Sequence, residues 1–323
     1  MKRPLANTLA YALFAAAVAA TGFGLKNPYY FQVLTFIGIN TLLAVSLNLL
    51  TGYAGQISLG HAAFFGIGAY ASGIFSTHFG ISPWLSGPAA LVLAGIVAYL
   101  VGLPTLKLTG YYLAMGTLGF GMIVSVILNN WSAVTGGSSG LYGIKGLTIL
   151  GVNLSQGRNG FFLIWLLVIA TFFLCGRLVD SRVGRALRAI HYSEQAARSV
   201  GVDTAGVKLS VFVLSAVIAA LAGVFFAHSV GFISPGSFNF LMSVRLVAMV
   251  VIGGMASIWG ALLGASLLTI LPELLQAVAE YEMATYGLIL ILVMIFFPEG
   301  LVMGIRSAYE HARNVGKRAH PEP

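Results

Sequence analysis

Apolar runs near the ~20 residues that carry an α-helix across a bilayer recur from one end of this 323-residue chain to the other. Little charge interrupts them: 58% of the residues are hydrophobic and 8% are charged, whereas a soluble domain is about 25% charged. Mean hydropathy is +0.92. In lipid every backbone N–H and C=O must be bonded within the protein, so such runs become helices or the strands of a closed barrel. The ~10-residue dyad alternation of a barrel is missing. The sequence therefore predicts an all-α polytopic integral membrane protein. Its spans fall at about 6–25, 29–51, 57–79, 84–104, 110–130, 160–177, 208–230, 240–257, 258–277 and 284–304. That makes about ten transmembrane helices, within a range of 8 to 11, some of them broken or re-entrant. No stretch is long or polar enough for a soluble domain, which leaves residues 1–304 as one membrane domain and 305–323 as a polar tail.

The formal net charge of +8 follows the loops. With the N-terminus inside, Lys2, Arg3, Lys107, Arg177, Arg182, Arg185, Arg188, Arg198, Lys208, Arg306, Arg313, Lys317 and Arg318 fall on the cytoplasmic side, and only Lys26, Lys145, Arg158 and Arg245 on the other. This is the positive-inside bias of a multi-pass protein with both termini cytoplasmic, and it removes the need for a nucleic-acid partner. The start of the first span, Met1-Lys2-Arg3 followed by an apolar run and Ala17-Val18-Ala19, also has the form of a secretory signal; retention as a span is favoured. A single cysteine, Cys175, excludes an intrachain disulfide and a Cys-rich metal site. The histidines show no metal-ligand spacing, and no nucleophile-base arrangement is discernible.

Three stretches depart from plain hydrocarbon. In LTGYAGQISLGHAAFFGIGAYASG, Leu50 to Gly73, Gly52 and Gly55 flank Tyr53 where a bend is expected, while Gly60, Gly66 and Gly68 suit close helix packing. A broken half-helix there would present Gln56, Ser58 and His61 to a polar or zwitterionic solute; the alternative is tight packing with His61 bonded internally. Late in the chain Gly253 and Gly254 predict a sharp turn, followed by Gly260 and Gly264 on one helix face, a faint second copy of the first pattern. Arg245 lies within a predicted span, where it would meet a solute carboxylate, snorkel outward, or pair with Glu273, Glu280 or Glu282.

The third stretch is the loop 180–208. Residues 184–200 read as one helix, stopped at Gly201 and resumed after Asp203-Thr204, with Ala196 and Ala197 forming a small face before the turn. Such a helix suits a groove on a cytoplasmic partner, although arginines and alanines also suit a plain connector. The outer loop 131–159, rich in Gly and Ser, reads as an ordered loop with a small hairpin. Gly201-Val202-Asp203-Thr204-Ala205-Gly206 begins like a P-loop, but Val207 precedes Lys208 and no Gly-Lys-Ser/Thr follows.

The string SEQAARSVGVDTAGVKLSVF, Ser193 to Phe212, resembles the EAA loop of ABC importer permeases, and specifically the M-type permease of branched-chain amino-acid importers, the LivM type. It departs from the general importer signature in placing Gln195 between Glu194 and the alanines and in lacking a later Leu-Pro element. GYAGQISLGHAAFFGIGAY and SPGSFNFLMSVRLVAMVVIGGMASIWGALLGASLLTILPELL are similar to segments of the same family. The resemblance implies a permease of the bacterial cytoplasmic membrane that carries small hydrophobic amino acids by alternating access. Its ATPase-coupling residues would be Glu194, Ala196, Ala197, Gly201, Val202 and Asp203. It implies a second, H-type permease, two cytoplasmic ABC ATPases that bind ATP and Mg, and an extracytoplasmic solute-binding protein. This chain would then be a transport subunit and no enzyme. Urea or short-amide importers of the same family remain open, as does an ion-coupled secondary transporter; against the latter, every Asp and Glu falls in a loop or at a span end.

Overall fold

The computed structural model describes residues 3–149, 151–274, 287, 288, 291, 292, 295 and 300. Within them are twelve helices: α1 (Arg3–Gly24), α2 (Pro28–Asn48), α3 (His61–Thr77), α4 (Pro83–Thr105), α5 (Tyr111–Asn130), α6 (Ser132–Thr135), α7 (Gly157–Asp180), α8 (Arg182–Tyr192), α9 (Glu194–Ser199), α10 (Thr204–Val230), α11 (Phe240–Gly253) and α12 (Ile258–Leu274). Beside them stand four two-residue strands, β1 (Leu141–Tyr142), β2 (Thr148–Ile149), β3 (Val152–Asn153) and β4 (Phe232–Ile233), a π-helical turn (Leu49–Tyr53) and two 3-10 turns (Gly137–Ser139 and Pro235–Phe238).

The predicted spans up to 258–277 each meet one of these helices, while 284–304 lies almost wholly outside the described residues. Among the described residues, five helices are long and apolar enough to cross a membrane: Pro28–Tyr53, Pro83–Thr105, Tyr111–Asn130, Gly157–Asp180 and Thr204–Val230. The span expected over 240–257 stops at Gly253, and α11 with its 14 residues rises only ~21 Å against a hydrocarbon layer of ~30 Å. It turns at once and α12 runs back beside it.

Helix α2 is the hub, buried along most of its length and packed on α7, α10, α11 and α12. Asn27 caps it by accepting from the Tyr29 N–H, with Pro28 at the first helical position. Helix α10 lies against α3 and α4. The α3–α10 crossing is backbone on backbone: a Cβ at Gly68 would strike the Ala220 main chain, and one at Gly223 would strike Phe65 and Ala69. Lipid supplies no hydrophobic drive between helices, so such close approach is what holds them together. Helix α1 joins the bundle through aromatics, with Phe14 stacked on Phe172 (5.8 Å) and edge-on to Trp259 (5.3 Å).

The connections sort to two ends. At one, β1 pairs with β4 and β2 with β3; the second pairing is the expected hairpin, whereas the first ties the outer loop to the segment after α10. There His228 Nδ1 donates to the Lys145 carbonyl (2.6 Å), which leaves Nε2 to accept from Ser72 (2.7 Å). The opposite end carries α8, α9, the break between α2 and α3, and the turn between α11 and α12. This grouping agrees with the loop alternation expected from the sequence.

Candidate functional site

Two linked features make up the candidate site, a break in the span after α2 and a latched loop over it. The last turn of α2 widens into a π-helix over Leu49–Tyr53. A wide turn of this kind releases backbone groups, and local partners recapture them here: the Gln56 N–H reaches Leu50 O (3.0 Å) and the Thr51 hydroxyl reaches Gln56 O (3.1 Å). Gly55 holds φ +67°, the left-handed conformation the reversal needs. The chain then runs without helix to Gly60, alternating Gln56 and Ser58 inward with Ile57 outward.

Side chains of other helices satisfy the backbone of the break. Thr117 of α5 accepts from the Leu59 N–H (3.1 Å), and Ser243 of α11 accepts from the Ala62 N–H (3.2 Å). Gly60 sits against the Thr117 carbonyl and Gly66 against Phe238, so both positions are crowded by neighbours. His61 Nε2 lies 2.8 Å from Ser46 Oγ and 3.4 Å from Ser215 Oγ. Both serines donate their protons elsewhere, Ser46 to Leu43 O (2.7 Å) and Ser215 to Ser46 O (2.6 Å). The imidazole must therefore donate through Nε2, and its Nδ1 is a bare acceptor.

Gln56, Ser58 and His61 are each at most 4% exposed. Gln56 Nε2 and Oε1, Ser58 Oγ and His61 Nδ1 have no hydrogen-bond partner among the described residues. Two donors or donor-acceptors and two acceptors thus lie within six residues, in a protein whose buried polar atoms are otherwise mostly paired. That set can receive a small polar group. Arg245 is not brought to it: Ser243 faces the break, while Arg245 is on an exposed side of α11.

Asn48 ties the break to the second turn. Its Oδ1 accepts from the Ala256 N–H (2.9 Å) and its Nδ2 donates to the Ser257 carbonyl (2.8 Å). Ala256 has φ +57°, the one non-glycine residue with positive φ among the described residues, and a Cβ on Gly52 would strike its main chain. Gly253 packs on Gly260, and Gly254 takes φ +113° as the chain reverses. These glycines stand out in the sequence, whereas Asn48, Ser46, Thr117 and Ser215 carry there only the signal of a polar residue inside an apolar run.

The loop departs from the single helix expected over 184–200. Ser193 is extended and its hydroxyl accepts from the Ala196 N–H (3.3 Å), a cap that ends α8 and starts α9. The stop at Gly201 has both bonds of a Schellman motif, Gly201 N–H to Arg198 O (3.0 Å) and Val202 N–H to Ala197 O (3.1 Å), with Gly201 at φ +82°. Asp203 caps α10 by accepting from the Gly206 N–H (3.0 Å). The expected small face divides, with Ala196 exposed and Ala197 buried against its own chain. Glu194 closes the loop: Oε1 accepts from Arg198 (2.7 Å) and Thr204 (3.2 Å), and Oε2 pairs with the buried Lys208. Partial burial raises the Glu194 carboxyl, but Lys208 and then Arg198 outweigh it and hold the group below its ordinary value. His191 of α8 lies over the break, its ring 3.0 Å from where a Gly55 Cβ would stand.

The comparisons bear on this arrangement. A family model described as branched-chain amino acid transport system / permease component matches residues 29–298. The chain is 35% identical over 294 residues to the high-affinity branched-chain amino acid transport system permease protein LivM of Escherichia coli (strain K12), covering 84% of this chain and 69% of that protein. The LivM protein of Salmonella typhimurium gives the same figures. An autoinducer 2 import system permease protein LsrC of Yersinia pseudotuberculosis (strain YPIII) is 28% identical over 270 residues, 81% of this chain and 71% of that protein. No solved structure matches significantly. The matched region takes in the break, the loop and the α11–α12 turn, and the chain belongs to the family of branched-chain amino acid transport system permease components.

Proposed function

We propose that this chain is the membrane permease of a binding-protein-dependent ABC importer of branched-chain amino acids, working by alternating access. The observation that carries the reading is the 35% identity to LivM across 84% of the chain. In this reading two cytoplasmic ATPases bind ATP and Mg and press on the loop 180–208. A second, H-type permease completes the membrane part, and an extracytoplasmic binding protein delivers the solute. The chain sits in the cytoplasmic membrane of a bacterium with both termini inside.

The physical layout supports this division of labour. ATP energy can reach the break only through a mechanical path, and the latch at Glu194, the His191 ring over Gly55 and the Asn48 bonds to the second turn form one. The unpartnered atoms of Gln56, Ser58 and His61 suit an ammonium or a carboxylate shed of water. Partner binding shifts the inward–outward balance only insofar as the ATPases bind one state more tightly.

The test is uptake by proteoliposomes holding this chain with its partner subunits and binding protein. ATP-dependent leucine uptake, resisted by an excess of urea or of autoinducer 2, is the expected result. Leucine movement without ATP, following an ion gradient, would overturn the importer; preferential competition by urea or autoinducer 2 would overturn the substrate class.

A further inference from the structure

Two helices begin in buried chain and touch at their first turns. Helix α3 starts at His61 straight after the break, and α11 starts at Phe240 after the short turn Pro235–Phe238. The Ala62 N–H of one donates to Ser243 Oγ of the other (3.2 Å), and both residues are buried. Each helix N-terminus carries about half a positive charge, so bringing two together is unfavourable unless an anion stands near both. The helices themselves supply none: no Asp or Glu lies in the first turn of either. Their caps are neutral as well, Asn239 on α11 and Gly60, which has no side chain to offer, on α3.

Unused donors lie beside this junction. Ser58 and Gln56 are 1% and 4% exposed, and Ser58 Oγ, Gln56 Nε2 and Gln56 Oε1 have no partner among the described residues. Ser58 is two residues from the cap Gly60, which keeps their Cα atoms within ~7 Å of each other. Both side chains can donate, Ser58 through its hydroxyl and Gln56 through its amide. A cleft of about 10 Å³ opens at the same place, lined by Leu59 and Ala63 on the α3 side and by Asn239, Phe240 and Ser243 on the α11 side.

We propose that the meeting point of the α3 and α11 N-termini is an anion site that takes one carboxylate group, with Ser58 Oγ and Gln56 Nε2 as its side-chain donors. Two positive helix ends would repel a cation, so of the two ends of an amino acid it is the acid group that belongs here. That this carboxylate is the transported solute's rests on the function proposed above. The cleft is about one water in size, so taking up the group parts the two first turns at the Ala62–Ser243 bond. Occupancy of the break is thereby felt by α11.

The first measurement needs no ligand. Ser58→Asp and Ser58→Asn are nearly equal in size and differ in charge, and an ionised Asp is costly at an ordinary buried position. Between two uncompensated helix ends the Asp variant should melt above the Asn variant at neutral pH, by about 2 °C or more, and lose that advantage as pH falls through the carboxylate range. An Asp variant that melts at or below the Asn variant overturns the site. The second measurement is equilibrium binding to the purified importer complex in nanodiscs, without ATP and without the binding protein. The probes are leucine, 4-methylpentanoate, which keeps the carboxylate and lacks the amine, and leucinamide, which lacks the carboxylate. Ser58→Ala should weaken the first two about tenfold, the loss of one hydrogen bond to a charged group, and leave leucinamide unchanged. No binding of 4-methylpentanoate, equal weakening of all three, or no change in any overturns the site, and chloride bound in preference to 4-methylpentanoate overturns its assignment to a carboxylate. If the variants do not assemble, the unaltered complex decides: leucinamide bound as tightly as 4-methylpentanoate overturns the site. ATP-driven leucine uptake with the Asp variant below the Asn variant sinks this inference alone; the Asp variant above it, in a complex that binds 4-methylpentanoate and imports another solute, sinks the proposed function alone.

Discussion

At the scale of single residues, Glu194 and the two alanines after it are the most exposed to test. Replacing Glu194 by Gln leaves Lys208 buried without its partner, at a cost on the order of 2 kcal/mol, between the values for surface and fully buried pairs. Because the folded Glu194 carboxyl is held below its unfolded value of about 4.3, its stabilisation is complete above that pH and is lost as pH falls through the folded value. The difference in thermal midpoint between the native protein and Glu194→Gln should therefore be full at neutral pH, begin to shrink as pH falls to the unfolded value of about 4.3, and vanish only below the lower folded value. Ala196 and Ala197 should separate. A Trp at exposed 196 is expected to leave the thermal midpoint nearly unchanged and to reduce co-purification of ATPase subunits, whereas a Trp at buried 197 should destabilise the loop itself. Equal behaviour of the two would contradict the division of that face.

At the scale of elements, the fold depends on helix contacts that admit no side chain and on side chains that mend broken backbone. Gly68→Val puts two methyl groups into the Ala220 main chain, so α3 and α10 must part, with a loss of about 1–3 kcal/mol measurable as a lower midpoint in detergent. Asn48→Leu is close in volume and keeps the site apolar, yet it strands the Ala256 N–H and the Ser257 carbonyl. That should cost about 2–4 kcal/mol and slow uptake beyond what the lost stability explains, because the α11–α12 turn is then free of the break. Uptake that tracks the thermal midpoint alone would reduce Asn48 to a structural role.

At the scale of the whole molecule, α2 and α10 form the buried centre, and the two breaks that depart from plain helix meet at one end beneath α8 and α9. Non-helical backbone at membrane depth is tolerated where protein covers it, and here Thr117, Ser243 and Asn48 from the chain itself do so. The complete importer is expected to hydrolyse ATP faster when the loaded binding protein is present, and substitution of Gln56 by Ala should lower leucine uptake without lowering that ATPase rate. A parallel fall in both would place Gln56 in the coupling path and not in the solute path.

Hydropathy alone determined the all-helical membrane class and the approximate place of the spans that fall within the described residues, because lipid forces every apolar run of that length into one conformation. Turn chemistry was equally legible: Gly201, Gly253 and Gly254 announce reversals that few other residues allow. The break at Leu50 to Gly60 was legible from its glycines, and Gln56, Ser58 and His61 from their polarity. Tertiary structure decided the rest. The π-turn, the inward face of Ala197, the exposed place of Arg245 and the short reach of α11 depend on which helices lie alongside, and no local pattern encodes that. Asn48 is the plainest case. In sequence it is one polar residue in an apolar run, and only the arrival of a turn more than two hundred residues later gives its two bonds a partner.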